Sequence, residues 1–489
     1  MSTRITRRQA LTLGAVGVGA LGVGAAGLVW TTIGSQTPGT GNANTTPLPS
    51  GSAGWVEPSV LESVDGVLDV TLQVAEGEVE VGGASVRMLT YNGTVPGPTL
   101  HLHPGDLLRV RLQNDLTDPT NLHTHGLLVS ASDNSDNPFL RIGAGESFDY
   151  EIQLPDDHPA GVFWYHPHHH ELVADQLFGG LYGAIIVDEE DWSQAPPRIV
   201  VVSDVTVADG AVASVSGVER MLGRTGEMLL VNGQPSPSLP APAESEQRLL
   251  IVNACASRYL DLRLGDLDAR VRGIDSHRRA PQSADRLVLA PGNRADVVIT
   301  TPTAATDLVA AAYDRGQAGM GMMGGGSTTS SEAVVLTVVP DAGATPPVVA
   351  DPVVSARRDL RETAVDGTRT LTMSMGMGGG AGMRFLIDGR AFDAGRTDQS
   401  VTIGTVEDWT IVNVSPMDHP FHLHVWPMQV LRAGSADVTG VDVRDVVDVP
   451  AGTSVTVRIA FDRFPGQTVY HCHILDHEDL GMMGVVDAA

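Results

Sequence analysis

The run His471-Cys472-His473 constrains the fold of this 489-residue chain more than any other feature. Thr468-Val469-Tyr470, directly before it, has the β-branched and aromatic composition that is typical of a strand. Because side chains alternate between the two faces of a strand, Cys472 would point one way and its two histidine neighbours the other. The sequence therefore predicts two metal centres on opposite faces of one strand, joined by a covalent path.

The residues that follow Cys472 have the chemistry of a blue-copper site. Such a site takes a thiolate, two imidazoles and a weak axial thioether. His477 and Met482 lie shortly after Cys472, and His419 is the candidate for the remaining imidazole. These four residues are the predicted ligands of the first centre.

Three further His-x-His pairs fit the second centre. Each pair places two imidazoles on one face of a strand, and with His471 and His473 they make eight, enough for three coppers with open positions for oxygen. Zinc is the competing metal, but its structural sites use four ligands, often with paired cysteines, whereas this chain has 16 histidines and 2 cysteines. The three pairs are His123-Thr124-His125, His166-Pro167-His168 and His422-Leu423-His424.

These motifs resemble those of the multicopper oxidases, the family of laccases, ascorbate oxidase and bacterial copper-efflux oxidases. The four motifs occur in the family's order, and the resemblance covers almost the whole chain after its N-terminal segment. They are His-Thr-His-Gly at 123–126, Trp-Tyr-His-Pro-His at 164–168, His-Pro-Phe-His-Leu-His at 419–424, and the segment 471–482 that contains the cysteine.

The resemblance implies four copper ions in each chain: one type 1, one type 2 and two type 3. Spacing after Trp164-Tyr165 favours His168 over His170 as a ligand. Carried over by motif, the type 1 ligands are His419, Cys472, His477 and Met482, the type 2 ligands are His123 and His422, and the type 3 ligands are His125, His166, His168, His424, His471 and His473.

Two acidic residues match family positions that supply protons. Glu478 directly follows a type 1 ligand, and it resembles the family's proton donor to the cluster. Asp136, downstream of the first histidine pair, resembles the second acid, and Asp133 is a competitor because this spacing varies among relatives. We expect Glu478 and Asp136 to be catalytic.

The resemblance implies an all-β fold with three cupredoxin-like Greek-key β-sandwich domains, and the composition agrees with it. Glycine and proline are plentiful and apolar residues alternate with polar ones, as in half-buried strands. The predicted limits are 59–190, 195–345 and 365–489, after a leader or anchor at 1–34 and a flexible linker at 35–58.

An internal repeat supports three domains without reference to the family. Gly105–Asn114 and Glu407–Ser415 each lead into a histidine pair, and Gln247–Asn253 is a third copy that leads to none. The metal cluster is therefore expected between the first and last domains. The middle domain is predicted to be a spacer, with a possible substrate role.

The N-terminus resembles a twin-arginine (Tat) export leader. Arg7-Arg8 precedes an uncharged, glycine-broken run from Ala10 to Ile33, and the competing interpretation is a retained membrane anchor. We expect export by the Tat machinery to an extracytoplasmic location, either secreted or associated with the cell envelope.

Two glycine-rich segments carry clustered methionines. Thioethers select Cu(I) over harder ions, so these segments predict Cu(I) delivery to the type 1 site, with a simple linker or partner docking as alternatives. The methionines are Met320, Met322 and Met323 in one segment and Met373, Met375, Met377 and Met383 in the other.

The predicted function is oxidation of a one-electron donor, either Cu(I) or a phenol, coupled to reduction of O₂ to water. A net charge of −27 argues against nucleic-acid binding. Copper nitrite reductase, a copper-free structural relative and a copper-storage protein are the alternatives. The first has no type 3 pair, the second would lack ligands, and the third needs no His-Cys-His bridge.

Overall fold

A computed structural model describes residues 53–188, 192, 196–275, 277–316, 328–343, 349, 358–378 and 382–489. For residues 377, 378 and 382 only the backbone is described. The predicted leader and the first methionine segment lie outside these ranges. Among the described residues, no helix combines the length and the apolar character needed to cross a bilayer.

The first sandwich consists of two sheets. One has the strand order β1-β4-β9-β8-β6, and the other contains β3-β2-β5-β7, with two later strands added beside β3. The elements are β1 (Val60–Glu62), β2 (Val67–Val81), β3 (Ala84–Tyr91), β4 (Thr99–Leu102), β5 (Leu107–Asn114), β6 (His123–His125), β7 (Ser147–Gln153), β8 (Gly161–His166), helix α1 (Val173–Gly179) and β9 (Gly183–Val187).

The middle sandwich pairs the sheets β14-β13-β10-β16-β21-β18-β19 and β15-β23-β22-β17-β20, while β11 and β12 join the first sandwich. Its elements are β10 (Arg198–Val205), β11 (Val207–Ala208), β12 (Ala211–Val212), α2 (Gly217–Leu222), β13 (Met228–Val231), β14 (Gln234–Pro235), β15 (Ser238–Ala241), β16 (Glu246–Asn253), β17 (Leu260–Arg263), β18 (Arg270–Ile274), β19 (His277–Ser283), β20 (Arg286–Leu289), β21 (Arg294–Thr300), β22 (Thr306–Ala311) and β23 (Ala333–Pro340), with a 3₁₀ turn at Gly265–Leu267.

The last sandwich pairs β25-β24-β27-β33-β29-β30 with β26-β35-β34-β28-β32, and β31 pairs with β29. Its elements are a 3₁₀ turn at Leu360–Glu362, β24 (Gly367–Gly378), β25 (Gly382–Ile387), β26 (Gln399–Val401), β27 (Thr405–Asn413), β28 (His419–Leu423), β29 (Met428–Ala433), β30 (Ala436–Asp437), β31 (Val443–Arg444), β32 (Val446–Val449), β33 (Ser454–Phe461), β34 (Gly466–Cys472), α3 (Leu475–Asp479) and β35 (Met483–Ala488).

The three repeat segments form equivalent strands. β5, β16 and β27 each pair in parallel with an earlier strand, namely β2, β10 and β24. Each also pairs antiparallel with the strand that follows a glycine-containing turn, namely β7, β21 and β33. The all-β fold of three cupredoxin-like sandwiches is confirmed, and the exact domain limits stay a prediction.

Short helices tie the sandwiches together. Asp479, at the end of α3, accepts hydrogen bonds from the Val173 and Ala174 amides at the start of α1, at 3.2 and 2.9 Å. These amides have no partner within their own helix, so a carboxylate satisfies them. The buried cluster around α1 joins residues of the first and middle sandwiches to Leu475. The chain between Cys472 and Met482 is thus fixed from several sides.

Ile411 tests the packing of the last sandwich. Its side chain is fully buried in the cluster that also holds Trp409 and Cys472. We expect Ile411→Ala to lower the free energy of unfolding by about 2–5 kcal/mol because it leaves a cavity. Urea denaturation measures this change. Val414→Ala, at a 59% exposed position, is the matched control, and an equal loss in both variants would contradict the assignment.

Candidate metal centre

The first centre is formed by His419, Cys472 and His477. His419 Nδ1 lies 3.3 Å from Cys472 Sγ and 3.3 Å from His477 Nδ1, and Sγ lies 4.0 Å from His477 Nδ1. All three side chains are fully buried. Three donor atoms therefore converge on one point that is closed to solvent.

The outer nitrogen of each imidazole has a partner that fixes its tautomer. Ser415 Oγ donates to Asn413 Oδ1 and so accepts from His419 Nε2 at 2.8 Å. His477 Nε2 donates to the Met221 carbonyl at 3.2 Å. Both Nδ1 atoms consequently present lone pairs to each other and to the sulfur, which is the arrangement a cation requires.

Packing holds this centre in place. The Phe385 ring stacks on His477 with centroids 4.0 Å apart. Met482 is fully buried in the same cluster, and its carbonyl accepts a hydrogen bond from the Cys472 amide at 3.0 Å. Burial raises the pKa of Cys472, so a thiolate here needs a compensating positive charge. The site is chemically suited to a soft metal ion.

The second centre collects eight buried histidines from four strands, β6, β8, β28 and β34, and from the residues that directly follow three of them. In β6 and β8, His123 pairs with His166. In β28 and β34, His422 pairs with His471, and Phe421 pairs with Cys472. The strand alternation predicted for Cys472 therefore places the two centres on opposite faces of β34. The eight are His123, His125, His166, His168, His422, His424, His471 and His473.

Three of these imidazoles converge closely. His168 Nε2 lies 3.1 Å from His471 Nε2, and His424 Nε2 lies 3.2 Å from the same atom. His123 and His125 form a second group of possible ligands with His166, and His123 forms a third with His422 and His424. His473 lies in contact with the second group, its ring centroid 4.9 Å from that of His125.

Most imidazoles of the second centre have one nitrogen bonded to protein and one left over. His166 Nδ1 contacts the Pro167 carbonyl at 2.8 Å, and His422 Nδ1 contacts the Asp445 carbonyl at 2.8 Å. Within the described part of the chain, the nitrogens that have no hydrogen-bond partner are His123 Nε2, His125 Nδ1, His166 Nε2, His422 Nε2, His424 Nδ1 and both of His473. Buried nitrogens of this kind fit metal ligation.

Burial keeps these imidazoles neutral. It lowers the pKa of His166 to about 3 and that of His168 to about 4. Burial likewise lowers the pKa of His123, His422 and His424, with a further contribution from neighbouring histidines. Because only the neutral form has a free lone pair, the site is ready to bind metal at neutral pH.

Both predicted acids lie against the second centre. Asp136 Oδ2 is 3.0 Å from His123 Nδ1, and burial raises the pKa of Asp136 to about 7. Glu478 is fully buried, with Oε2 3.1 Å from His471 Nδ1 and Oε1 3.4 Å from His168 Nε2. Burial raises the pKa of Glu478, but the neighbouring imidazoles lower it by a larger amount, so the net shift of the pKa is downward. The competitor Asp133 is exposed.

The middle sandwich supports the second centre, which sequence reasoning missed. Arg294 is fully buried and binds Asp445 through two hydrogen bonds of 2.5 and 2.6 Å. Asp445 Oδ1 in turn lies 3.0 Å from His125 Nε2. Gly126 is needed here, since a Cβ on it would lie 2.5 Å from Arg294 Nη2. The glycine of the His-Thr-His-Gly motif was the only sequence signal that indicated a close contact at this position.

A second contact from the middle sandwich involves Gly292. A Cβ on this residue would lie 2.9 Å from the His473 ring, so the backbone itself packs on the imidazole. Gly292 has a φ of 86°, which favours glycine. The predicted spacer role of the middle sandwich is therefore incomplete, because this sandwich also orients predicted ligands.

The remaining predicted residues are placed as follows. Met373 is buried in the last sandwich, while Met375 and Met383 are half-buried beside it. Met320, Met322 and Met323, and the side chain of Met377, lie outside the described residues. His101, left as a non-ligand, lies 3.0 Å from Asp188 and stacks on Trp192.

Comparison with known proteins gives a consistent result. Two family models, both described as multicopper oxidase, match residues 73–191 and 362–489. The chain is 26% identical over 440 residues to a multicopper oxidase of Staphylococcus aureus, covering 86% of this chain and 89% of the relative.

Solved structures are similar over nearly the full length. The multicopper oxidase of Campylobacter jejuni, described as a metallo-oxidase, has a TM-score of 0.77 at 28% identity and covers 89% of this chain and 95% of its own. A laccase-like multi-copper oxidase from Ochrobactrum sp., described as active towards lignin model compounds and lignosulfonate, has a TM-score of 0.75 at 25% identity and covers 91% and 100%.

Asp445 tests how the second centre is supported. Asp445→Asn removes the carboxylate that forms the shorter ion pair with buried Arg294 and leaves it only Asp275 at 3.4 Å, so we expect a loss of about 1–3 kcal/mol in stability because charge-assisted hydrogen bonds are weakened. We also expect less metal per chain, since His125 loses its anchor. Urea denaturation and elemental analysis measure the two effects. Asp437→Asn, at an exposed ion pair, is the control; unchanged stability and metal content in Asp445→Asn would contradict this role.

Proposed function

Because the chain belongs to the multicopper oxidase family, a copper enzyme that couples oxidation of a donor to reduction of O₂, we propose that it holds four copper ions in the two centres described above. The single strongest support is the pair of buried donor sets on opposite faces of β34. They give one cysteine-containing site and one all-histidine cluster. The first would bind type 1 copper and the second the type 2 and type 3 coppers.

We assign the type 1 ligands as His419 Nδ1, Cys472 Sγ, His477 Nδ1 and, as the axial group, Met482. The facing lone pairs of the two Nδ1 atoms support this set. A thioether axial ligand, where some relatives have an apolar residue, predicts a modest reduction potential.

The type 2 and type 3 ligands are proposed for the eight histidines of the second centre. His123 and His422 would hold type 2 copper. The convergence of His168, His424 and His471 supports one type 3 site, and His125, His166 and His473 remain for the other. The unpartnered nitrogens of these groups support ligation over a purely structural role.

Bound copper supplies one-electron transfer at the type 1 site and four-electron reduction of O₂ to water at the cluster. The chain contributes the connection between the two, since Cys472 is bonded through the backbone directly to His471 and His473. It also keeps water away from both centres, because every proposed ligand is buried. Buried ligands that cannot relax lower the reorganisation that each electron transfer requires.

Reduction of O₂ to water also consumes protons. Glu478 contacts His168 and His471, and Asp136 contacts His123, so each carboxyl group can hold or pass a proton at the edge of the cluster. Because the pKa of Glu478 is shifted downward, its carboxylate takes up a proton and then passes it on, which is general acid–base catalysis. We propose Glu478 and Asp136 as the two proton-relay residues.

The substrate is proposed to be Cu(I) or a phenol. Met375 pairs with Phe385 across β24 and β25, and Phe385 stacks on His477, so thioethers lie near the type 1 edge. This arrangement favours Cu(I) as the donor. The laccase-like relative that acts on lignin model compounds favours the phenol.

We also propose that the chain is exported in folded form by the Tat machinery and acts outside the cytoplasm. The twin arginines at positions 7 and 8 support export, and they lie outside the described residues. Export after folding suits a protein whose metal sites are completed by three separate sandwiches.

Copper analysis and oxygen uptake test the function. We expect four coppers per chain, against two for a nitrite reductase and none for a structural relative.

Oxygen uptake then compares two electron donors, stabilised Cu(I) and a simple methoxyphenol, at matched concentrations. A much higher kcat/KM for Cu(I) would identify a cuprous oxidase, and a preference for the phenol would identify a laccase. If deletion of the first methionine segment together with Met375→Leu and Met383→Leu leaves Cu(I) kinetics unchanged, the segments do not deliver copper.

Glu478→Gln tests the proton relay. The amide keeps the size of the side chain but cannot transfer a proton, so we expect O₂ reduction to slow by about 10²-fold. The blue absorbance and the anaerobic rate of its reduction by substrate should stay unchanged. Glu151→Gln, at an exposed position, is the control. Loss of the blue colour in Glu478→Gln would instead indicate a structural role.

A further inference from the structure

Arg315 is a buried cation without a carboxylate partner in the described part of the chain. Its side chain is 2% exposed, and Nη2 donates to the Leu222 and Gly223 carbonyls at 2.8 and 3.1 Å. Nη1 has no hydrogen-bond partner among the described residues. Burying an unpaired charge costs several kcal/mol, so a negative group that offsets this cost is expected nearby.

Two sets of contacts place Arg315 next to residues that adjoin the type 1 ligands. A Cβ on Gly223 would lie 3.0 Å from Arg315 Nη1 and 2.6 Å from Ile474 Cγ2, so the guanidinium and Ile474 flank the same residue. The Ile474 amide donates to Cys472 Sγ at 3.4 Å. The Arg315 carbonyl accepts a hydrogen bond at 2.7 Å from the amide of Asp418, the residue that directly precedes His419.

Helix α2 is fixed at its start by a capping box, and carbonyl groups at its C-terminal end bind both Arg315 and a proposed type 1 ligand. Ser216 and Glu219 form a reciprocal capping box, with the Ser216 amide donating to the Glu219 carboxylate at 2.7 Å. At the other end, the Met221 carbonyl accepts from His477 and the Leu222 carbonyl from Arg315. The guanidinium is therefore held in a set position relative to the site.

The carboxylates nearest this region already have partners. Asp476 pairs with Arg224 at 2.6 Å, and Asp204 pairs with Arg258 at 3.0 Å. Asp448 accepts the Tyr259 hydroxyl at 2.6 Å, and burial raises its pKa to about 7, which weakens its charge. Asp418 is a fourth carboxylate in this region; it accepts from the Tyr313 hydroxyl at 3.1 Å and from the Ala451 amide at 2.9 Å, and burial raises its pKa. None of these four carboxylates forms an ion pair with Arg315, so we take the Cys472 sulfur as its anionic neighbour.

We propose that Arg315 is the counter-charge of the Cys472 thiolate and raises the reduction potential of the type 1 copper. This inference rests on the ligand set proposed above. One-electron reduction removes one positive charge from the site, and a fixed neighbouring cation favours the less positive state. Arg315 thereby counteracts the lower potential expected from the Met482 thioether.

Three substitutions separate charge from shape. Arg315→Gln removes the charge and keeps an amide donor for the Leu222 and Gly223 carbonyls. Arg315→Met fills a similar buried volume without charge, a change that buried sites often tolerate well. Arg315→Lys keeps the charge. Equilibrium redox titration of the blue absorbance should give a lower potential in the Gln and Met variants and a potential near that of the wild type in the Lys variant.

Arg432→Gln is the charge-matched control, because it removes one cation at a 57% exposed side chain. An unchanged potential in a blue Gln or Met variant would overturn the proposal, and so would loss of the blue site in all three variants, which would indicate a steric role. Loss in both neutral variants with retention in Arg315→Lys would support it. A wild-type protein without a blue band would contradict the proposed ligand set itself.

Discussion

The antiparallel pairing of β28 with β34 is the constraint on which both metal centres depend. It sets His422 opposite His471 and Phe421 opposite Cys472. A shift of one residue would move every side chain to the other face. It would place the cysteine among the histidines and an imidazole in the apolar core. The register is protected because Phe421, Tyr470 and Cys472 belong to the buried cluster of the last sandwich, so a shift would also expose that core.

The first centre lies within the last sandwich, whereas the second requires the sandwiches to assemble. β6, β8 and the residues just after β8 provide four histidines of the first sandwich, and β28, β34 and the residues just after them provide the other four. The middle sandwich then closes the assembly, because Arg294 binds Asp445 and Gly292 packs on His473. The second centre is therefore a property of tertiary structure, although each of its histidines lies in a short local motif.

The difference between local motifs and tertiary contacts separates what could be predicted from the sequence from what could not. The grouping of the histidines and the cysteine into two sets was predictable, because His-x-His and His-Cys-His patterns report strand alternation within a few residues. The repeat before His123 and His419 likewise indicated equivalent sandwiches. Arg294, Asp445 and Gly292 were not predictable. Their partners lie more than a hundred residues away or in another sandwich, and a single buried arginine has no local pattern that distinguishes it from an exposed one. The choice of Asp136 over Asp133 likewise needed the fold, since both have similar spacing from the first histidine pair.

Buried charge connects these missed residues to function. Arg294 is matched by Asp445, so its main effect is to hold His125 in place, and its charge is largely cancelled. Arg315 forms no ion pair with a carboxylate among the described residues, and we propose that its charge acts on the Cys472 sulfur. Two arginines of equal burial thus act in different ways, one through geometry and the other through its field. The chain is acidic, with a net charge of −27. A buried cation without a carboxylate partner lowers its stability, and electron transfer at the neighbouring thiolate is the process that this cation can influence.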